Sequence, residues 1–194
     1  MSVYKPCDIR GPLTELSSEM YYTWGRLIGN TLATGAHCVT GGDIRPSSRE
    51  FLAALEKGLK DAGIHVLSLG IVPTPIVYFM KRTYTADAAA IVTASHSPPN
   101  TNGLKWLIGC IPPQEEDVRQ LEEMSKRELP NLRAGGTIET LDPMPHYLNW
   151  LKGCFFDDTQ DVIRRIVIDF GNGCWALGGS RYVKMTFPQT DLVS

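Results

Sequence analysis

Strand-like apolar runs alternate with helical periodicities along the first 129 residues, and that alternation restricts the chain to a layered α/β architecture. Met20, Trp24, Leu27, Ile28 and Leu32 recur at three- and four-residue spacing. This predicts a helix over 18–34, with Ser17 or Ser18 at its start and Gly35 at its end. A short strand at Cys38-Val39 follows. Ser47 and Glu50 then have capping-box spacing, so a second helix begins there. Phe51, Leu52, Leu55, Leu59 and Ala62 form its apolar face, and Gly63 ends it. Ile64 to Leu69 alternates like a strand. Thr74 as cap and Pro75 at the first helical position start a third helix that runs to about Arg82. Ala88–Val92 reads as a buried strand and Leu104–Ile108 as another. Residues 114–129 read as a surface helix. Its first turn is acidic, its last turn is basic, and Val118, Leu121 and Met124 make a narrow apolar stripe. The expectation is a layered α/β/α domain over residues 1–146. Strand order is open, and a mixed sheet between helices is the expected form.

The remainder carries weaker signals. Residues 130–142 read as loop. Tyr147, Leu148, Trp150 and Leu151 suggest a short helix leading out of the domain. Arg165-Ile166-Val167-Ile168-Asp169-Phe170 has the pattern of a buried strand. The turn Gly171-Asn172-Gly173 follows, and a helix-like stretch begins near Cys174. Residues 147–194 are therefore expected to hold a linker helix and the start of an incomplete second α/β domain. Its apolar strand Ile166-Val167-Ile168 is expected to lack full cover.

Composition excludes several classes of function. The formal charge is −2 and no Lys/Arg cluster appears, which argues against nucleic acid as a partner. The five cysteines are scattered with no C-x-x-C pair, which argues against a zinc site or a disulfide framework and for a reducing compartment. Met1–Pro6 lacks the apolar core of a signal peptide, and no apolar run is long enough to span a bilayer. The expected location is the cytoplasm.

The chemistry concentrates where the Ala88–Val92 strand ends. Thr93-Ala94-Ser95-His96-Ser97-Pro98 opens a polar loop that runs through Pro99, Asn100 and Asn102 to Lys105. Strand ends are where α/β proteins keep their sites. A serine hydroxyl needs a base, a metal or prior phosphorylation to act as a nucleophile. His96 suits proton exchange near neutrality, and Lys105 suits phosphate neutralisation. The alternative is structural: Ser95 and Asn100 cap turns and His96 packs on Trp106. Neither a G-x-S-x-G hydrolase elbow nor a Walker-type phosphate loop is present. Asp8-Ile9-Arg10-Gly11-Pro12 reads as a surface turn with a local ion pair. Asp43 and Arg45 either hold their loop in place or face a ligand, with the structural role favoured.

Five stretches in sequence order resemble the α-D-phosphohexomutases, the phosphoglucomutase/phosphomannomutase family. They are Asp8-Ile9-Arg10-Gly11, Gly42-Asp43-Ile44-Arg45-Pro46-Ser47-Ser48, Gly70-Ile71-Val72-Pro73-Thr74-Pro75, Thr93–Pro98 with Asn102–Lys105, and Asp169-Phe170-Gly171-Asn172-Gly173. The resemblance implies a mutase that moves a phosphoryl group between the C1 and C6 oxygens of a hexose phosphate. Ser95 would be the phosphoserine, His96 and Lys105 would assist transfer, and Arg10 and Lys105 would meet the substrate. Mg2+ would bind with the Ser95 phosphate as one ligand, and a hexose 1,6-bisphosphate would act as activator. Cys7 stands where many members have an aromatic residue, and the family's D-x-D-x-D-R metal loop is not in the sequence. The chain is thus expected to be an incomplete, inactive portion of a mutase. The alternative is a non-enzymatic remnant that binds sugar phosphates or another protein.

Overall fold

Six strands form the central sheet: β1 (Ile9–Pro12), β2 (His37–Gly42), β3 (His65–Ile71), β4 (Ala88–Val92), β5 (Thr101–Ile108) and β6 (Thr137–Thr140). The structure, a computed structural model, describes residues 2–155, 165–186 and 191–192. The strand order is β1-β5-β4-β2-β3-β6. Strands β4, β2, β3 and β6 run parallel, while β5 is antiparallel to both β4 and β1. Parallel neighbours need long crossovers. Helices α2 (Ser48–Asp61) and α3 (Thr74–Thr83) supply them between β2, β3 and β4. The β4–β5 step reverses direction through the short loop 93–100, so that loop sits at the C-terminal end of the parallel strands. The sheet is mixed and the fold is α/β.

The two faces of the sheet are filled differently. Cys38, Val66, Ala88, Ala90, Val92, Leu104 and Trp106 pack into one core with α1 (Ser18–Asn30), α2 and α4 (Glu115–Ser125). The alternate strand residues Val39, Ala89 and Ile91 are also buried, as are Ile76, Val77 and Met80 of α3, which cover the opposite face. Helices α1 and α2 cross closely at Gly25 and Gly58. A Cβ on Gly25 would overlap the Leu55 carbonyl oxygen, and one on Gly58 the Tyr22 carbonyl oxygen. The predicted helix faces are buried: Trp24, Leu27 and Ile28 on α1, and Phe51, Leu52, Leu55 and Leu59 on α2.

Several local expectations are corrected. Ile9–Pro12 is a strand rather than a turn, and Pro12 is tolerated because β1 lies at the sheet edge, where a missing N–H breaks no ladder. Helix α1 stops at Asn30, with Thr31 in the capping position. The capping box at Ser47 does not form. Ser47 has helical dihedrals, its hydroxyl accepts from Asn102 Nδ2, and Glu50 accepts from Ser18 instead. Helix α3 begins one residue early, with Pro73 capping. Strand β6 lies in a stretch read as loop. All four of its residues are exposed, so no apolar alternation marks it, and pairing with β3 is what holds it.

The chain divides into two units, Met1–Leu141 and Asp142–Ser194. The second holds α5 (Met144–Phe155), α6 (Gly179–Thr186) and a parallel pair of two-residue strands, β7 (Arg165–Ile166) and β8 (Asp191–Leu192). The run 165–170 is not a buried strand over its length. It pairs only at its first two residues, and Val167 is 81% exposed. Near Cys174 the chain forms a short 3-10 turn, Cys174–Leu177, before α6. No helix among the described residues is long and apolar enough to cross a membrane.

Candidate active site

The loop after β4 is held in shape by one half-buried network. Ser95 has φ +57°, a left-handed backbone conformation that a side chain disfavours. Its N–H donates to Thr93 Oγ1 (2.9 Å), and the Thr93 hydroxyl donates to Asp43 Oδ2 (2.7 Å). Asp43 also accepts from Ser48 Oγ (2.5 Å) and from the backbone N–H and Nε of Arg45 (3.0 Å each). The far end of the Arg45 guanidinium then donates to four loop carbonyls: Ser97 (2.7 Å), Pro98 (2.7 Å), Thr101 (3.1 Å) and Ser95 (3.2 Å). Four converging carbonyls form an electron-rich cup, and the five donors of arginine fit it. Asn102 closes the loop's far end. Its Nδ2 donates to the hydroxyls of Ser47 (2.8 Å) and Ser48 (3.1 Å), and its Oδ1 accepts from Gly103 N–H (2.8 Å).

The left-handed turn also decides where the serine hydroxyl lies. On an extended chain, Ser95 and His96 would point to opposite sides. Here Ser95 Oγ is 3.3 Å from His96 Nδ1. Both residues are exposed or nearly so, while Thr93 and Ala94 behind them are buried.

Two cations approach from β1 and β5. The antiparallel register pairs Ile9 with Leu104 and Arg10 with Gly103, which sets Asp8 opposite Lys105. One oxygen, Asp8 Oδ2, accepts from Arg10 Nη2 (2.6 Å) and from Lys105 Nζ (3.1 Å). Two cations sharing one carboxylate leave one positive charge uncompensated. Both side chains stay about one-third exposed, at 33% and 32%. Arg10 Nη1 also reaches Ser97 Oγ at 3.4 Å, which ties the cation pair to the serine loop. No direct hydrogen bond joins Ser95 to Arg10 or Lys105 among the described residues. The site therefore consists of a hydroxyl–imidazole pair on a pinned loop with two partly exposed cations beside it. That arrangement suits an anionic group carried on or next to Ser95.

A family model described as phosphoglucomutase/phosphomannomutase, alpha/beta/alpha domain I, matches residues 3–130. The chain belongs to the phosphoglucomutase/phosphomannomutase family. Among its curated relatives, the phosphomannomutase/phosphoglucomutase of Pseudomonas aeruginosa is 33% identical over 176 residues, covering 89% of this chain and 37% of the relative. A phosphomannomutase of Escherichia coli is 33% identical over 181 residues, covering 89% of this chain and 39% of the relative. A phosphoglucomutase/phosphomannomutase family protein from Burkholderia thailandensis matches in three dimensions with a TM-score of 0.83 at 27% identity, covering 98% of this chain and 43% of that one. The chain thus spans well under half the length of these members of the phosphoglucomutase/phosphomannomutase family.

Of the residues singled out in the sequence, the structure puts Ser95 beside His96 and Arg10 beside Lys105. Asp43 and Arg45 take the structural alternative, as the frame of the serine loop. The sequence reading assigned no tertiary role to three polar residues. Asp8 was seen only as a local partner of Arg10, although the β1–β5 register gives it Lys105 as well. Thr93 and Asn102 lay within the stretches that resemble the family, but their part in holding the loop was not read, because it depends on partners far away in the sequence. Tyr21 joins them from below. Its hydroxyl donates to the Gly103 carbonyl (3.0 Å), and its phenol is pushed above the usual range by burial and then by the charge of Asp43.

Proposed function

We propose that this chain is the phosphoserine-bearing part of a phosphohexomutase that interconverts hexose 1-phosphates and hexose 6-phosphates. The observation that carries the reading is the pairing of the Ser95 hydroxyl with His96 on a loop locked by Arg45, with a net-positive Arg10–Lys105–Asp8 cluster alongside. Phosphoryl transfer asks for positioning and cationic surroundings more than for covalent help. In the forward half-reaction the bond between Ser95 Oγ and phosphorus breaks, and a bond from phosphorus to a sugar oxygen forms. The sugar hydroxyl loses its proton and the Ser95 oxygen regains one, with His96 as the nearby group for that exchange. The bisphosphorylated sugar turns over, and the second half-reaction returns the other phosphate to Ser95. Arg10 and Lys105 offset charge on the phosphoryl oxygens as Asp8 releases them.

Mg2+ is expected with the phosphate on Ser95. No group of three His, Cys, Asp or Glu side chains suited to a metal occurs among the described residues, so they do not fit a complete Mg2+ site. The steps above rest on the chain's own side chains alone.

The decisive experiment incubates the chain with glucose 1,6-bisphosphate labelled in its phosphates. Label on the peptide containing Ser95, absent from Ser95→Ala, is the expected result. Label on another residue would overturn the assignment of Ser95. Saturable binding of the bisphosphate with no label, weakened in Arg10→Ala and Lys105→Ala, would instead identify a sugar-phosphate-binding module.

A further inference from the structure

At the opposite end of the sheet from the serine loop, two imidazoles meet. His37 begins β2 and His65 begins β3, and the two are directly in register on these parallel neighbours. Residues in register project from the same face of the sheet. Their ring centres are 5.2 Å apart and their planes are inclined by 38°. Two imidazoles bound to one tetrahedral ion through metal–nitrogen bonds of about 2.0–2.1 Å have ring centres roughly 5 Å apart. The observed spacing matches that figure.

The surroundings also resemble those of a ligand pair. His65 Nδ1 lies 2.9 Å from Thr137 Oγ1, and Thr137 is the register partner of His65 on β6. A hydrogen bond at one ring nitrogen leaves the other as the ligand, and outer partners of this kind fix the orientation of metal-binding histidines. The His37 backbone is anchored by its N–H donating to Asp87 Oδ2 (2.8 Å). His37 is exposed and His65 is partly so, which leaves both open to solvent. Neither belongs to the serine site.

We propose that His37 and His65 form a two-imidazole site for a late first-row divalent cation such as Zn2+, with water completing the coordination. Imidazole suits Zn2+, Ni2+ and Cu2+ rather than Mg2+ or Ca2+. With two protein ligands, binding is of micromolar rather than nanomolar strength.

The test is a calorimetric titration of the full chain with Zn2+, its exposed thiols first alkylated. The expected result is one equivalent bound, with at least tenfold weakening in both His37→Ala and His65→Ala. Thr137→Val, which removes only the outer partner, weakens binding by about tenfold. His65→Gln keeps a partner for Thr137 and replaces the alanine variant if that one fails to fold. An isotherm unchanged in the double His37→Ala/His65→Ala variant overturns the site. So does loss of binding in only one of the two single variants, because a shared ion needs both rings.

Discussion

Ser95 is the strained residue of the loop after β4. A left-handed backbone on a residue with a side chain is unfavourable by about 1–2 kcal/mol, and here it brings Ser95 Oγ to 3.3 Å from His96 Nδ1. Ser95→Gly and Ser95→Ala both remove the hydroxyl, but only glycine relieves the strain. Ser95→Gly should therefore unfold at higher urea concentration than Ser95→Ala, by about 1 kcal/mol. Equal midpoints would mean the loop relaxes on mutation. Arg45 is the restraint that keeps the strained form, through its four carbonyl acceptors. Lysine offers a single compact ammonium in place of that fork. Arg45→Lys should lose about 1–3 kcal/mol of stability and expose residues 95–101 to faster hydrogen exchange. Retained protection there would show that Asp43 and Asn102 hold the loop without it.

At the scale of elements, the close crossing of α1 and α2 and the parallel core strands set a low-polarity interior, and the carboxylate of Glu56 lies inside it. Glu56 of α2 is 7% exposed and accepts from Thr40 Oγ1 of β2 (2.6 Å). Burial raises its pKa above the ordinary 4.5, against the pull of hydrogen bonds from Ser68 and Thr40. The folded state therefore keeps a proton over a range where the unfolded chain has released it. Stability from this group is complete below the ordinary carboxylate value and is lost as pH rises through the folded pKa. Glu56→Gln should match the wild type in acid and exceed its stability at pH 8, on the order of 1 kcal/mol for each pH unit the two pKa values are apart. Thermal melts at about pH 3.5 and about pH 8 read this directly. A constant difference between the two variants across that range would overturn it.

At the scale of the molecule, both units leave apolar surface uncovered. The first closes two cores around its sheet, yet Ile111 stays 67% exposed and Leu132 68%. In the second, Val167 is 81% exposed, Leu177 62% and Trp150 47%. It also carries an apolar pocket of about 300 Å³ lined by Leu151, Phe170, Trp175, Tyr182 and Val183. Exposed patches of this kind bind apolar dyes and partners. The full chain should enhance ANS fluorescence, and a chain of residues 2–141 should lose the share that the second unit's pocket contributes while unfolding in one cooperative step. Undiminished enhancement from residues 2–141 would place the dye-binding surface in the first unit.

By itself, the sequence determined the α/β class, the helix faces, the position of the serine loop at a strand end and the family, because these depend on local periodicity and on contiguous residues. Trp24 and Leu55 announced their burial by spacing alone. Tertiary structure alone decided what depends on register and on long-range pairing. Strand β6 exists only because β3 offers it an edge. Asp8 meets Lys105 across 97 positions because β1 and β5 run antiparallel. The Ser47–Glu50 spacing failed as a cap because Asn102 claimed the Ser47 hydroxyl and Ser18 reached Glu50. Above all, the contact between Ser95 and His96 follows from one backbone dihedral. That dihedral is held by Thr93, Asp43 and Arg45, polar groups that had to be buried together before any of them had a partner.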